Sequence, residues 1–524
     1  MHPMRSVTRA RSVGSAAVTI PAAFSLALLA PATAGASATA SASATATARV
    51  TASAAAGVSA TATAGTAAHA AVPLIRVSRD IYTDAQAQHK TEVEPGEFAF
   101  GKTIVSAFQV GRVFGGGASN IGWATSTNGG ATWKHGYLPG ITGNGGGPFG
   151  QASDASVAYD AKRKVWLITS LGIGGSSVAV LVSRSTNGGL TWGKPVTVAS
   201  GSNDKGWIIC DDHNASPQFG NCYDEYDIPG QGDSLQMRTS TDGGAHWGPA
   251  RQPAGGSQGL GGQPVVLPNG DVVVPYLAFA GGAPSIRSFR STNGGASWSA
   301  TTPVAGVQHH VVAGSLRETP LPSAAVDAGG TVYVAWADCR FRASCRSNDI
   351  VIAKSTSETT WAAPVRVPID ATSSTVDHFI PGLAVDPSTS GGSARIGLTY
   401  YYYPQASCSQ SACRLDAGFI SSVNGGASWS AATQLAGPMR LSWLPNTSEG
   451  IMFGDYIATA VLAGGNAYPV FPVSGAPTGS TFHQAMDAPA GGLPVTGGSR
   501  IATNHPAIAT APPYRPATVP PTAR

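Results

Sequence analysis

Short apolar runs separated by turns rich in Gly, Asn and Asp recur along residues 73–487. Runs of this length bounded by such turns predict β-strands rather than helices. The clearest unit has an inner strand at 322–327, a second strand at 331–336 and a third strand at 349–355. The chain is therefore predicted to be all-β and built from repeated antiparallel units; the same order recurs at 155–171, 264–277 and 381–402.

A polar pattern marks the end of the third strand in each unit. It starts with Ser, continues with Asn or Asp and two glycines, and ends with Trp, although one copy has lost its Gly pair. An Asx side chain accepts backbone N–H bonds in a tight loop, and Gly supplies the positive φ that such a loop needs. Repeats about 50–70 residues apart suit the four-stranded blades of a β-propeller. The copies span 126–133, 185–192, 240–247, 291–298, 355–361 and 422–429.

The number of blades depends on the strands that follow the last repeat. Three strand-like runs, at 454–462, 467–473 and 481–486, need a fourth strand, and residues 73–78 can supply it. Six repeats plus this composite unit predict a propeller of seven four-stranded blades, with six as the alternative if these strands only close the ring.

The two ends of the chain differ in composition from the repeats. Arg5, Arg9 and Arg11 precede an apolar run and small-residue cleavage sites, which predicts a signal peptide at 1–38. An Ala/Ser/Thr-rich spacer at 39–72 and a Pro/Ala-rich tail at 488–524 are predicted to be disordered. The expected product is a secreted, extracellular protein whose propeller spans 73–487.

Charge limits the range of partners. Charged residues make up only 11% of the chain, against about 25% in an ordinary domain. The net charge of +4 falls close to zero once the signal peptide is removed, so no nucleic-acid partner is expected. No other apolar segment is long enough for a membrane span. The protein is also expected to be a monomer.

The six cysteines fall in three close pairs. In an exported chain, even numbers of closely spaced cysteines favour local disulfides over zinc or free thiols. The predicted bonds are Cys210–Cys222, Cys339–Cys345 and Cys408–Cys413.

Strand alternation also predicts a site. Inner strands of an antiparallel propeller all begin at one end of the axis, here called the top, and second strands end there too. Polar residues at these positions are expected to line one pocket and bind a polar, sugar-like ligand, with Arg340→Ala removing binding. Structural alternatives are a strand cap for Asp154 and Asp455, an ion pair for Asp338 with Arg340, and a satisfied histidine for His378. The ring comprises Asp154, Lys205, Asp338, Arg340, His378, Asp455 and Tyr456.

The repeats resemble the Asp-box, or BNR repeat, of secreted sialidase-like β-propellers, although only Asp242 keeps the carboxylate of that box. The resemblance implies three arginines that hold a substrate carboxylate, a Tyr nucleophile with a Glu base, and an Asp acid/base. Arg76, Arg340, Arg440 and Tyr456 fit those positions, but no Glu or Asp stands where the family has them. The catalytic candidates are therefore Tyr456, Asp455 and Asp154, and Lys205, Asp338, Arg340 and His378 are candidates for substrate binding.

Two functions stay open. A glycan-binding propeller is preferred, and the alternative is a glycoside hydrolase, either exo-sialidase-like or another glycosidase or lyase. No cofactor is expected; the alternative is Ca²⁺ at carboxylates around one cysteine loop, since Ca²⁺ prefers oxygen ligands. Those carboxylates are Asp211, Asp212, Asp224, Glu225 and Asp227.

Overall fold

The computed structural model describes residues 72–279 and 283–503. The predicted signal peptide, all but the last residue of the predicted spacer, and residues 504–524 of the predicted tail lie outside these ranges.

The first strands form one short edge strand and a continuous antiparallel sheet. The sheet contains β2 to β9, and its two four-stranded halves meet where Ala118 pairs with Ala152. The strands are β1 (Leu74–Arg76), β2 (Ala87–Phe100), β3 (Thr103–Val113), β4 (Ala118–Ser126), β5 (Lys134–Tyr137), β6 (Gln151–Asp160), β7 (Val165–Gly174), β8 (Ser177–Ser185) and β9 (Val196–Ala199).

Two separate sheets follow. Strands β10 to β12 form a three-stranded sheet, and β13 to β17 form a five-stranded sheet in which β15 pairs with both β13 and β14. The bounds are β10 (Asp204–Cys210), β11 (Cys222–Ile228), β12 (Ser234–Ser240), β13 (Gly259–Leu260), β14 (Val265–Val266), β15 (Val272–Ala278), β16 (Ser285–Ser291) and β17 (Thr302–Gly306).

The next two sheets each have four strands. One contains β18 to β21, and the other contains β22, β23, β24 and β26. The bounds are β18 (Ser323–Val326), β19 (Val332–Asp338), β20 (Asp349–Ser355), β21 (Val365–Arg366), β22 (Asp377–Val385), β23 (Ile396–Tyr403), β24 (Arg414–Ser422), β25 (Ser428–Trp429) and β26 (Thr433–Arg440).

The last sheet joins the two ends of the propeller. Its order is β1-β31-β30-β29, with Leu74 opposite Pro489, so the composite sheet predicted from the sequence is confirmed. Strands β27 and β28 form a small hairpin, and β32 pairs with β25. The bounds are β27 (Asn446–Thr447), β28 (Gly450–Ile451), β29 (Ala458–Val461), β30 (Ala467–Thr478), β31 (Thr481–Pro489) and β32 (Arg500–Ile501).

Within the part of the chain that the structure describes, helical structure is limited to single turns. None of the helices in 72–279 and 283–503 is long and apolar enough to cross a membrane. The 3₁₀ turns are Gly143–Gly145, Pro229–Gln231, Ala343–Cys345, Gly391–Ser393 and Leu441–Trp443.

The fold is an all-β propeller. One strand of each large sheet, and two strands of the eight-stranded sheet, border a common axial cavity. Five sheets of three to five strands are separate blades. The predicted count of seven, or six, four-stranded blades is wrong, because the backbone pair between β4 and β6 merges residues 87–199 into one sheet. The β10–β12 blade moreover has only three strands.

Apolar side chains fill the space between neighbouring sheets. Tyr333 and Ile352 of one blade, for example, pack in the same cluster as Leu383, Ile396 and Leu398 of the next. Burial of such residues is the main favourable contribution to folding. The inner strands are consequently held rigidly, which positions the groups around the axis.

The repeated loops fold as predicted in five of the six copies. In the first, the Ser126 hydroxyl accepts a hydrogen bond from the Gly130 N–H (2.8 Å) and donates one to Asn128 Oδ1 (3.0 Å). Both Gly129 and Gly130 have positive φ, which explains the Gly pair. The same Ser–Asx–Gly pattern recurs in the loops that start at Ser185, Ser240, Ser291 and Ser422.

All three predicted disulfides are confirmed. The Cα–Cα separations are 3.9 Å for Cys210–Cys222, 4.8 Å for Cys339–Cys345 and 5.1 Å for Cys408–Cys413.

The predicted tail starts too early. Leu493 is buried and pairs with Ala467, and Ile501 pairs with Ser428. Residues 488–503 thus belong to the propeller. The Pro/Ala-rich composition concealed this because a few apolar anchors are enough to pack the segment against the blades.

Candidate functional site

The Lys205 ammonium lies at the top of the axis. Its Nζ is 3.5 Å from the centroid of the Tyr456 ring, 5.4 Å from that of Trp207 and 3.8 Å from Asp154 Oδ1. Among the described residues, no acceptor forms a hydrogen bond with this buried nitrogen. Cation–π attraction and one carboxylate therefore hold the charge. The structure brings Asp154, Lys205 and Tyr456 together.

Irregular backbone at the start of the inner strands directs these side chains. The registers of β2, β6 and β10 with their neighbours all shift near this end. Glu94 and Asp154 have φ values of 58° and 47°, which non-Gly residues rarely adopt. Such bulges turn a side chain away from its alternating position and are common beside functional sites.

Glu94 on β2 is a buried carboxyl group that the sequence did not single out. Its Oε1 accepts a hydrogen bond from the Asp455 N–H (2.9 Å), and its Oε2 accepts one from the Gln109 amide. Burial, together with the negative charges of Asp455 and Asp154, raises the pKa of Glu94 to about 8. Glu94 therefore stays largely protonated at neutral pH.

Arg317 forms ion pairs with two carboxylates, on the solvent-exposed side of Glu94 and Asp455. Its Nε is 3.0 Å from Asp455 Oδ1, and its Nη1 is 2.8 Å from Glu449 Oε2. The backbone of the loop that carries it is held by a hydrogen bond from the Arg317 N–H to the Ile451 carbonyl (2.7 Å). The side chains of Arg317 and Glu449 are 30% and 37% exposed, so a ligand can reach them.

Asp204 and Asp227 lie opposite each other on β10 and β11. Burial, and then the charge of Asp154, raises the pKa of Asp204 to about 6. Burial and the nearby Asp204 also raise the pKa of Asp227. Carboxyl groups outnumber cations here, and of the two groups whose pKa values are given, Glu94 is the one that keeps its proton at neutral pH. The group is called the polar axis cluster below; its members are Glu94, Asp154, Asp204, Lys205, Asp227, Arg317, Glu449 and Asp455.

The room inside the top of the axis is small. A pocket of about 20 Å³ lies between Lys205, Trp207, Gln263 and Tyr456. That volume holds about one water molecule. Any larger ligand must therefore bind above it, against the exposed parts of the polar axis cluster.

Tyr456 is not set up as a nucleophile. Its hydroxyl donates a hydrogen bond to the Ala155 carbonyl (3.1 Å), and among the described residues no carboxylate accepts its proton. Burial raises the pKa of Tyr456 well above its usual value. A tyrosine without a base is a poor nucleophile, so the sialidase chemistry that the resemblance implies is not assembled here.

Asp338 and Arg340 form an ion pair with each other, apart from the polar axis cluster. This is the structural alternative that was given for them in the sequence analysis above. Arg340 Nε is 2.8 Å from Asp338 Oδ1, and Asp338 Oδ2 also accepts a hydrogen bond from the Trp336 indole (3.0 Å). Arg340 in addition donates to the Gly306 carbonyl. Both residues lie outside the axial pocket, because the second strand that ends at Asp338 is one strand away from the axis.

His378 is also separate from the axis. It is buried against Tyr400 and Tyr402, with ring centroids 5.5 and 6.1 Å away, and its Nδ1 lies 3.3 Å from the Asn348 carbonyl. The prediction that the seven ring residues line one pocket is consequently wrong for Asp338, Arg340 and His378.

The three arginines that the resemblance implies do not converge either. Arg76 pairs with Asp487 at the outer edge of the composite sheet (3.1 Å), and Arg440 lies opposite Arg414 on an outer strand. Near the axis stands Arg112 instead, whose Nη1 donates to Gln109 Oε1 (2.7 Å). Arg112 lies in a strand and Arg317 in a loop, and the repeat pattern predicts the position of neither residue.

In 72–279 and 283–503, one group has the geometry for a metal ion: Asp349, Asp370 and His378. Its carboxylates are bonded to Arg342 and Arg366, which already neutralise them.

The five carboxylates predicted as the Ca²⁺ alternative do not all face one point. Asp224 and Glu225 are consecutive on β11, so their side chains point to opposite faces of the sheet.

Comparisons with solved structures find several propellers of low sequence identity. No protein-family model matches the chain, and a comparison with curated protein sequences finds no similar one. The leech intramolecular trans-sialidase is 13% identical, with 63% of this chain and 67% of that chain covered and a TM-score of 0.40. The NanB sialidase from Streptococcus pneumoniae is 12% identical, with coverages of 79% and 69% and a TM-score of 0.40. An ulvan lyase is 10% identical, with coverages of 77% and 95% and a TM-score of 0.44.

Proposed function

We propose that this is a secreted, glycan-directed β-propeller that binds a polar, sugar-like ligand at the polar axis cluster. The proposal rests on the Arg317 guanidinium, which is partly exposed between Asp455 and Glu449 at the end of the axis. Secretion is supported by three disulfides, which persist in oxidising compartments.

The chemistry of the cluster suits sugar hydroxyls. A hydroxyl both donates and accepts hydrogen bonds, and here the oxygens of two acidic side chains, which can accept, lie beside a guanidinium that offers only donors. Hydrogen bonds to charged groups contribute about 1.5–3 kcal/mol each, more than neutral ones. The low net charge of the chain does not favour a polyanion.

Arg317→Ala is expected to weaken binding of a glycan chosen from an array by about 10–100-fold, because charge-assisted hydrogen bonds are lost. Isothermal titration calorimetry gives the affinity. Arg340→Ala is the matched control, because it removes an arginine from an Asp pair outside the cluster. Equal loss in both folded variants, or none in Arg317→Ala, contradicts the proposed site.

A glycoside hydrolase is the second candidate function, favoured by Glu94. A protonated carboxyl group with a pKa of about 8 beside other acidic side chains resembles the usual arrangement for a general acid. Such an enzyme uses two carboxyl groups to cleave the glycosidic bond. Asp154 and Asp455 are the partner candidates, since both act on Glu94 through their charges.

For a hydrolase, Glu94→Gln is expected to lower kcat on aryl glycosides by about 10²–10⁴-fold while glycan affinity is retained. Glu92→Gln is the matched control: Glu92 is also buried on β2 with a pKa raised to about 8, but it bonds to Ser78 and the Met486 N–H. If the wild-type protein releases no aglycone from a broad panel of aryl glycosides, the hydrolase is rejected and the binding proposal is unaffected.

A further inference from the structure

A much larger cavity occupies the remaining length of the axis. Its volume is about 510 Å³, and it lies on the other side of Trp207 and Gln263 from the small top pocket, which shares these residues. At its far end the wall includes Gly101, Ala328 and Ala463, which follow the inner strands. The cavity therefore extends towards the end of the axis where the repeated loops lie.

The wall of this cavity is mainly apolar. It contains aliphatic side chains from β10, β14, β18, β22 and β29, together with the aromatic rings of Trp207, Phe98 and Phe100. The inner strands of the separate sheets are also edge strands, so they have no neighbouring strand on the axial side. Side chains already bond some of their N–H groups, as Ser156 does for Ile208 and Gln263 for Ala324, and a ligand can bond to the others. Apolar walls with a few polar groups, and volumes of about 300–1,000 Å³, are typical of small-molecule sites.

The far end carries an aromatic pair and a group of three ionisable side chains. Phe100 is 39% exposed, and its ring centroid is 4.6 Å from that of Tyr159. His213 Nδ1 lies 3.3 Å from Asp211 Oδ1 and 3.6 Å from Asp212 Oδ1. Two carboxylates beside one imidazole leave this end acidic, which disfavours an anionic ligand.

We propose that this axial cavity is a binding site for an uncharged, amphipathic small molecule. Its apolar body fills the cavity, and its polar groups bond to the strand edges. Anionic ligands are disfavoured by the acidic far end, and a cation needs an ionised partner inside the apolar walls. Glu97, a fully buried carboxyl group of the wall, is a poor partner for a cation, because burial raises its pKa well above the usual value. Asp327, the wall carboxylate at the turn end, is already bonded to the N–H groups of Gly329, Thr331 and Gly391.

The test is a titration of the full-length protein with the neutral dye Nile red, followed by its emission maximum. Saturable one-site binding with a blue shift is expected. Ala325 of β18 is half-buried and lines the cavity, so Ala325→Phe fills it and is expected to weaken binding about tenfold or more, with Ala325→Leu intermediate.

Two variants serve as controls. Ala363→Phe adds the same ring at an exposed position outside the cavity, and Arg317→Ala alters the polar axis cluster; both are expected to leave dye affinity unchanged. Absence of saturable binding to the wild type overturns the proposal. So does unchanged affinity in Ala325→Phe and Ala325→Leu, provided that their melting curves show folded protein.

Discussion

Arg342→Ala is expected to lower the free energy of unfolding by about 3–5 kcal/mol. Arg342 is fully buried, and its guanidinium bonds to Asp349 Oδ1 (2.6 Å), Asp370 Oδ1 (2.6 Å) and the Ala371 carbonyl (2.7 Å). Its removal leaves two carboxylates with Arg366 as their remaining arginine partner. The cost arises from uncompensated buried charge rather than from lost packing alone. Urea unfolding at neutral pH measures it.

The matched control is Arg290→Ala. Arg290 also pairs with a carboxylate, Glu358, at 2.8 Å, but its side chain is 34% exposed. Exposed pairs contribute about 0–1 kcal/mol, so a small change is expected. If both variants lose the same small amount, the Arg342 network is not a major source of stability.

The second large effect is a loss of stability as pH rises from about 5 to 8.5. Burial raises the pKa of Glu92 and Glu94 to about 8, of Asp224 and Asp377 to about 7, and of Asp204 to about 6. In this range the folded state binds more protons than the unfolded state, so unfolding becomes easier as pH rises. Each titrating group contributes a slope of up to about 1.4 kcal/mol per pH unit.

Two histidines act in the opposite direction. Burial lowers the pKa of His310 and His378, so their contribution is present above the unfolded pKa and is lost as pH falls. The carboxyl groups outnumber them, so the net slope is expected to stay negative. Melting temperatures measured across this range test the sign, and Glu94→Gln and Glu92→Gln should each make the profile flatter. A melting temperature that rises between pH 6 and pH 8.5 contradicts the account.

Local pattern was enough to predict much of the fold. The Ser–Asx–Gly–Gly loops, the composite sheet and the disulfides all depend on residues close in sequence or on simple strand pairing. The number of separate blades was not predictable in the same way. It depends on one backbone pair, Ala118 with Ala152, which no side-chain pattern encodes.

The site was predictable only where strand position decides it. Asp154, Lys205 and Tyr456 begin inner strands and meet at the axis. Asp338 and Arg340 also lie at a strand end, but on a second strand, where their nearest partners are each other. Glu94 lies in a β-bulge and Arg317 in a long loop. The alternation of side chains along a regular strand therefore predicts the orientation of neither residue.

The most direct test of the polar axis cluster is a crystal structure of the protein with an oligosaccharide selected on the glycan array. We expect a sugar whose hydroxyls lie within hydrogen-bond distance of Arg317 and Asp455. A sugar bound only at the opposite end of the axis, or on the outer faces of the blades, would contradict it.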